Sequence, residues 1–211
     1  MLAAPLAHPV AALCGSVFSH PSLRLPAIAA LRMHDADHGS ELVATLGAYL
    51  DAFGNVATAA GRLGVHVNTF RYRLRRVVEL SRLDLGDADV RLVCALQLAA
   101  PPAPLEPGLP HHVDTAVVLH AVTTAARAWP DLDGGAVTRL ATHDKARRTA
   151  YVESLRSYLA TFGDVPAAAA AVYVHPRTFR YRLRRIEDLG GIRLDDPLTR
   201  LAVELELRVT R

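Results

Sequence analysis

The sequence predicts an all-α fold of two tandem helical domains, each containing a helix-turn-helix, and three observations lead to this prediction. Apolar residues recur at spacings of three and four, the period of an amphipathic helix. No segment alternates convincingly with the period of two that a half-buried strand requires. The chain also repeats itself, because 21–98 (copy one) aligns with 130–207 (copy two) without a gap.

The repeat sets the expected domain boundaries. Its densest block, Thr69 to Arg76, recurs unchanged as Thr178 to Arg185. Between the copies, residues 99–110 hold five of the chain's 13 prolines, a composition that cannot continue a helix and favours a semi-extended linker. We therefore expect a first domain at 1–98, a Pro-rich linker at 99–111 and a second domain at 112–211.

The first predicted helix of each copy shows the helical period most clearly. In copy one, Leu46 and Leu50 fall on the same face, and Gly54 follows them. In copy two, Leu155 and Leu159 repeat the pattern, and a glycine again comes just after it. Glycine past the end of a helix is typical of a C-terminal stop, because it adopts left-handed backbone angles at little cost.

A short second helix follows in each copy. In copy one it runs from about Val56 to Leu63 behind Asn55, a residue type that caps helix N-termini well. In copy two it starts at about Val165 behind Asp164 for the same reason. Ala60 is small enough for two helices to cross closely, and a tight turn leads on to the next helix. This arrangement is typical of a helix-turn-helix.

The third and fourth helices are located by the residues at their starts. The third begins near Val67 in copy one and near Pro176 in copy two, where proline at the first helical position is favoured. The fourth follows Asp87 in copy one and Asp196 in copy two, since aspartate is a good N-cap.

Composition narrows the class of protein. The chain has 51% apolar and 21% charged residues, a composition that excludes disordered and collagen-like proteins. The net charge is only +3, so any basic patch must be local. Cys14 and Cys94 are far apart in the sequence and have no CxxC spacing, which indicates neither a disulfide scaffold nor a zinc site and favours a reduced, cytoplasmic compartment. Cys94 lies among leucines and is expected to be a small core residue.

The apolar start of the chain does not match a targeting signal. No Lys or Arg precedes Arg24, and Leu13 stands where a lipoprotein cleavage site needs a small residue before Cys14. We therefore expect no secretory signal. No uninterrupted apolar window is long enough to predict a membrane span either.

The third helix carries the chemistry. Counting about 100° per residue from Phe70 separates an inside stripe from an outside face. The expected inside residues are Phe70, Leu74 and Val77, with Phe179, Leu183 and Ile186 in copy two. The expected outside residues are Asn68, Tyr72 and Arg75, with Arg177, Tyr181 and Arg184 in copy two. Arg73 falls near the core boundary, where we expect it to pair within the protein or reach a phosphate.

Outward arginines favour nucleic acid, because a guanidinium can bond a phosphate or the O6/N7 edge of guanine with two donors. Thr69 and Thr178 lie in the first turn, where a hydroxyl and free backbone N–H groups can receive a phosphate oxygen. A charge run alone would indicate a solvated face, but its place in a helix-turn-helix, found twice, favours DNA. The candidate DNA-binding residues are His66, Asn68, Thr69, Arg71, Tyr72, Arg75, Arg76, His175, Arg177, Thr178, Arg180, Tyr181, Arg184 and Arg185.

These residues resemble a known family. The run from Val65 to Arg76, followed by Leu85 and Asp87, is similar to the C-terminal helix-turn-helix domain of PucR/CdaR-type bacterial transcriptional regulators, which itself resembles the Fis-type DNA-binding helix-turn-helix. The resemblance covers nearly all of both copies, from about Leu23 and Leu132 onward. It implies two DNA-binding modules. Members of the family usually carry a sensor domain before a single module, whereas this chain has a second module instead.

Other motifs give weaker evidence for a functional site. His34 and His38 have helical metal-ligand spacing, but copy two has Arg147 at the second position, so capping or surface roles are favoured. His66 and His175 open the third helices, where contact with phosphate and helix capping are equally favoured. We find no GxSxG, GxGxxG, P-loop, HExxH or paired-carboxylate arrangement, and so expect neither an enzyme nor a bound cofactor or metal.

The two copies differ at the turn and at the outward face. Copy two has Tyr173 where copy one has Gly64, which predicts a local backbone that avoids strongly left-handed angles. Copy two also has Arg177 where copy one has Asn68. Because asparagine offers adenine a paired donor and acceptor, whereas arginine prefers guanine or phosphate, we expect the copies to contribute unequally to binding.

The function expected from these patterns is that of a cytoplasmic, sequence-specific transcriptional regulator that binds double-stranded DNA. The alternative is a protein-interaction module, in which one or both helix-turn-helix units dimerise with a separate, sensor-bearing regulator. The duplication suggests that one chain covers two half-sites. A homodimer and a partner sensor protein both stay open, and no membrane partner is expected.

Overall fold

The computed structural model describes residues 9–102, 113–128 and 135–210. These residues form twelve α-helices and one short 3-10 turn, Pro21–Leu23, and no strand. The prediction of an all-α fold is therefore confirmed. The expected linker beyond Pro102, together with residues 1–8, lies outside the described residues.

The chain divides into two compact units, Met1–Val122 and Thr123–Arg211. Unit 1 contains α1 (Pro9–Val17), α2 (Pro26–His38), α3 (Leu42–Asp51), α4 (Val56–Arg62), α5 (Val67–Ser81) and α6 (Ala88–Ala99). Unit 2 contains α8 (Ala136–Arg147), α9 (Tyr151–Ala160), α10 (Val165–Ala171), α11 (Pro176–Gly190) and α12 (Pro197–Val209). The division falls within α7 (Thr115–Arg127), so the expected domain boundaries stay a prediction.

The helices keep the register of the repeat. α3 to α6 begin at positions 42, 56, 67 and 88, and α9 to α12 begin at the aligned positions 151, 165, 176 and 197. The expected caps are confirmed: Asn55 accepts a hydrogen bond from the Thr58 backbone N–H at 3.0 Å, and Asp164 accepts one from Ala167 at 3.0 Å. Equivalent short-range signals therefore start equivalent helices.

α1 contributes to the core of unit 1. α1 packs against α6, and Leu13 and Cys14 on it are buried, as is Cys94 on α6. Burial raises the pKa of both thiols to about 12, because the apolar surroundings disfavour the thiolate. Both cysteines are free thiols. Within the described ranges, no helix is long and apolar enough to cross a membrane.

A carboxylate on α2 fixes the start of α3. Asp35 accepts hydrogen bonds from the backbone N–H groups of Leu42 at 2.8 Å and Val43 at 2.9 Å. Asp144 on α8 makes the equivalent bonds to Tyr151 and Val152 on α9. A negative charge is stabilising at a helix N-terminus, where N–H groups lack partners within the helix. This side chain thus orients α3 in unit 1 and α9 in unit 2.

Phenylalanine and small residues form the core under the third helix. Phe70 on α5 is fully buried and packs with Ala48, Ala59 and Ala60 from α3 and α4. In unit 2, Phe179 is equally buried and packs with Ala168 and Ala169. The alanines allow the shorter helices to approach closely, so the large ring fills the space between them. The predicted inside position of both phenylalanines is confirmed.

Candidate nucleic-acid interface

The turn before the third helix has the same conformation in both units. Gly64 has φ +65° and Tyr173 has φ +54°, so both lie in the left-handed region. The next residue closes each turn: the Val65 N–H bonds the Ala60 carbonyl at 3.1 Å, and the Val174 N–H bonds the Ala169 carbonyl at 3.0 Å. The expectation that Tyr173 avoids left-handed angles was wrong. The hydrogen bonds of the turn determine its backbone, and a side chain that is 97% exposed meets no obstacle there.

The left-handed backbone at Tyr173 leads to a prediction about the stability of unit 2. A non-glycine residue in the left-handed region is strained by roughly 1–2 kcal/mol, whereas glycine loses roughly 0.5–1 kcal/mol more chain entropy on folding. We expect Tyr173→Gly to stabilise unit 2 by about 0.5–1 kcal/mol, measured as a shift in the urea midpoint followed by circular dichroism. The matched control is Gly64→Ala, because nothing lies within 4 Å of a methyl group added there. Gly64→Ala should destabilise unit 1. If both variants leave the urea midpoint unchanged, the prediction is contradicted.

The third helices begin with a histidine cap. His66 Nδ1 accepts a hydrogen bond from the Asn68 backbone N–H at 3.2 Å, and His175 Nδ1 accepts one from Arg177 at 3.1 Å. The structure therefore shows helix capping, which is one of the two roles expected for these histidines. Both histidines are also exposed, as are Thr69 and Thr178 in the first turn of each helix. The expected contact with phosphate stays a prediction.

The side chains predicted to point outward are exposed on both third helices. Tyr72 is 57% exposed and Tyr181 is 54% exposed, although aromatic residues usually lie at least partly inside. We call the following exposed residues the outward face: Asn68, Arg71, Tyr72 and Arg75 on α5, and Arg177, Arg180, Tyr181 and Arg184 on α11. Each outward face presents several guanidinium groups and a phenol. Such a face offers paired hydrogen-bond donors to planar acceptors and phosphates.

Two further arginines of α5 pair with acidic residues. Arg76 Nη1 lies 2.7 Å from Glu79 Oε2, and Arg73 Nη1 lies 2.6 Å from Glu41 Oε2. In unit 2, Arg185 lies 3.5 Å from Asp188 in the same helical pairing as Arg76. The sequence left two roles open for Arg73, pairing within the protein or contact with a phosphate; the structure contains the pairing, and its partner Glu41 was not predicted. The available signal was a difference within the repeat, which has alanine at 150 in place of this glutamate.

The paired histidines of α2 have a structural role. The rings of His34 and His38 stack with their centroids 4.2 Å apart, and His34 Nδ1 lies 3.0 Å from Ser40 Oγ. No cluster of three or more potential metal ligands occurs among the residues that the structure describes. His143 of copy two makes the matching contact with Thr149 at 3.1 Å. His34 and His143 therefore contact the turns that join α2 to α3 and α8 to α9.

The helices α3 to α5 and α9 to α11, with their shared turn geometry, define a protein with two helix-turn-helix units. The PucR C-terminal helix-turn-helix domain matches residues 42–100 and again residues 151–209. This chain belongs to that family and contains its domain twice.

Several curated proteins are similar to parts of the chain. The DNA-binding transcriptional activator AdeR of Bacillus subtilis is 37% identical over 68 residues, which are 32% of this chain and 16% of AdeR. The proline-responsive transcriptional activator PutR of the same organism is 35% identical over 71 residues, 34% of this chain and 17% of PutR. The uncharacterized protein Rv2242 of Mycobacterium tuberculosis is 40% identical over 76 residues, 36% of this chain and 18% of Rv2242. The chain thus spans less than a fifth of the length of these relatives. No solved structure matches it.

Proposed function

We propose that the chain is a DNA-binding transcriptional regulator that reads double-stranded DNA with both helix-turn-helix units and acts in the cytoplasm. The observation that carries the proposal is the outward face, which is exposed on the third helix of a PucR-type unit and occurs twice. The names of AdeR and PutR, both transcriptional activators, support the same class of function. They give no support to an enzymatic role.

In this proposal, α5 and α11 each enter a major groove. The N-terminal part of a third helix is the part that contacts base edges, and the outward face begins there. Arg71 and Arg75 are expected to bond guanine edges or phosphates, and the threonine in the first turn a phosphate oxygen. Phe70, on the opposite side of α5, anchors the helix to its own unit.

A titration with random duplex DNA at 50 and 200 mM salt tests this function. A DNA-binding chain associates at low salt and weakens steeply at high salt, because each neutralised phosphate releases counterions. If the chain does not associate with DNA at either concentration, or if its affinity is the same at both, the proposal is excluded. Selection of bound genomic fragments would then define the operator.

We further propose that the duplication replaces a dimer. Helix-turn-helix dimers place two reading helices about 34 Å apart on one side of the DNA, and two covalently joined units can satisfy this geometry. We expect footprinting to show about two turns protected by one chain. Protection of a single turn, or two chains per site by light scattering, would contradict this proposal. The second result would indicate a homodimer with four units.

The two units are expected to prefer different half-sites. Asn68 on α5 and the equivalent Arg177 on α11 are both exposed at the start of the outward face. We expect Asn68→Ala to relax base preference in one half-site, and Arg177→Ala to weaken binding with a shallower salt dependence. Selection from a randomised duplex library measures both effects. Loss of preference at the same half-site in both variants would contradict unequal roles.

One observation favours the alternative, a protein-interaction role for unit 1. On α5, Val78 is 40% exposed and Leu80 is 37% exposed. Val78 and Leu74 line a groove of about 690 Å³ together with the polar residues Asn68, Arg71, Arg75 and Glu79. Copy two has Glu187 at the position of Val78. Exposed apolar side chains beside a groove are typical of a protein contact, with a second copy or a sensor protein as the partner. Self-association in light scattering that is lost in Val78→Glu, without DNA binding, would support this role.

A further inference from the structure

The structure distinguishes two arginines that the sequence repeats without change. Arg73 and Arg182 occupy the same position in the two copies of the repeated block. Arg73 donates a hydrogen bond to Glu41 Oε2 at 2.6 Å, with 25% of the arginine side chain and 60% of the glutamate side chain exposed. Glu41 immediately precedes α3 and makes no capping bond with its side chain. Its carboxylate is therefore committed to Arg73 and not to the helix.

The equivalent arginine in unit 2 has a neutral partner. The repeat places Ala150 where copy one has Glu41. Arg182 Nη1 instead donates to Ser154 Oγ at 3.0 Å. Glu153, an acidic residue in the first turn of α9, forms no ion pair with Arg182 among the described contacts. The hydroxyl positions the guanidinium of Arg182 without neutralising its charge.

The two third helices carry the same net charge, because the additional arginine of α11, Arg177, is offset by its additional glutamate, Glu187. Each of these helices has three more arginines than acidic residues, four against one in α5 and five against two in α11. By net charge alone, the two helices would attract the DNA backbone equally. Glu41 adds one negative charge beside α5, and copy two has no carboxylate at that position.

We infer that Glu41 withholds Arg73 from DNA phosphate, whereas Arg182 contacts a phosphate in addition to its serine. The inference rests on the proposed DNA binding and specifies how the two units divide it. Unit 2 supplies the stronger hold on the backbone. Unit 1, in which Arg73 makes no phosphate contact, depends more on the bases that its outward face reads.

Reciprocal variants of the complete chain test this division. Glu41→Ala gives copy one the alanine of copy two, and Ala150→Glu does the reverse. Binding to a random duplex is measured by fluorescence anisotropy between 50 and 200 mM salt. One phosphate contact changes the slope of log K against log salt by about 0.9. Over this fourfold range of salt, that slope corresponds to a change of about 3.5-fold in the loss of affinity. We expect Glu41→Ala to steepen the slope by that amount and Ala150→Glu to make it shallower.

Two controls separate a local effect from a change in net charge. Asp195→Asn removes one negative charge from an exposed pair with Arg193, in the loop after α11, and should leave the slope unchanged. Arg73→Ala should abolish the effect of Glu41→Ala, since the released guanidinium is then missing. Glu41→Gln repeats the test with a side chain of the same size and guards against a folding defect.

The outcomes separate the inference from the proposed function. If the unaltered chain does not bind duplex DNA, both fail. If it binds but the slope is unchanged in Glu41→Ala and Glu41→Gln, only the inference is overturned. A change of the same size in Asp195→Asn, or one that persists with Arg73→Ala, also overturns it.

Discussion

A chain carrying Arg71→Ala and Arg75→Ala is expected to remain folded and to bind DNA much more weakly. Each arginine that reads a base contributes roughly 1–3 kcal/mol, and one that only touches phosphate contributes less. Both side chains are exposed on the outward face of α5, so their removal leaves the core intact. Anisotropy with a selected operator measures the loss of affinity, and circular dichroism checks the fold.

The matched control for this double variant is Arg193→Ala. Arg193 is an exposed arginine in the loop before α12, paired with Asp195 and outside both helix-turn-helix units. Its replacement should change affinity little. A folded Arg71→Ala/Arg75→Ala chain that binds as tightly as the unaltered one would remove the outward face of α5 from the interface.

Phe70→Ala is expected to destabilise unit 1 by about 3–5 kcal/mol, which is a large fraction of the stability of a small domain. The ring is fully buried and packs with Ala48, Ala59 and Ala60. Because these neighbours are already small, they cannot extend into the space that the ring leaves. Urea unfolding followed by circular dichroism measures the effect, and DNA binding by unit 1 should be lost with the fold.

The neighbouring aromatic residue provides the control for this variant. Tyr72 lies on the same helix but is 57% exposed, so Tyr72→Ala should change the free energy of unfolding by no more than about 0.5 kcal/mol. Phe179→Ala should reproduce the large effect in unit 2. Similar small effects for Phe70→Ala and Tyr72→Ala would contradict the assignment of Phe70 to the core.

The sequence predicted those parts of the fold that depend on neighbouring residues. Asn55 and Asp164 located two helix starts, because a cap and the N–H groups that it serves are close together in the sequence. α1, α2, α7 and α8 were not predicted as separate elements. The contact of Asp35 with α3 also escaped prediction, because it requires α2 to be packed against α3 first.

The candidate site likewise has features that could be predicted from the sequence and features that depend on tertiary packing. The helical period alone placed Tyr72 and Tyr181 outside, and both are exposed. The pair Arg73–Glu41 joins residues 32 positions apart and depends on tertiary packing. The angle at Tyr173 could not be derived from residue preference, because the hydrogen bonds of the turn override it.

The two buried thiols make the chain suitable for selective dye labelling. Thiol reagents attack the thiolate, which is scarce at neutral pH when the pKa is about 12, and neither native sulfur is accessible. A surface cysteine introduced by mutation would therefore react first, without removal of Cys14 or Cys94. Gly61 and Ala170, equivalent and exposed positions on α4 and α10, provide a pair of attachment points. Energy transfer between dyes there would follow the separation of the two units as DNA is added.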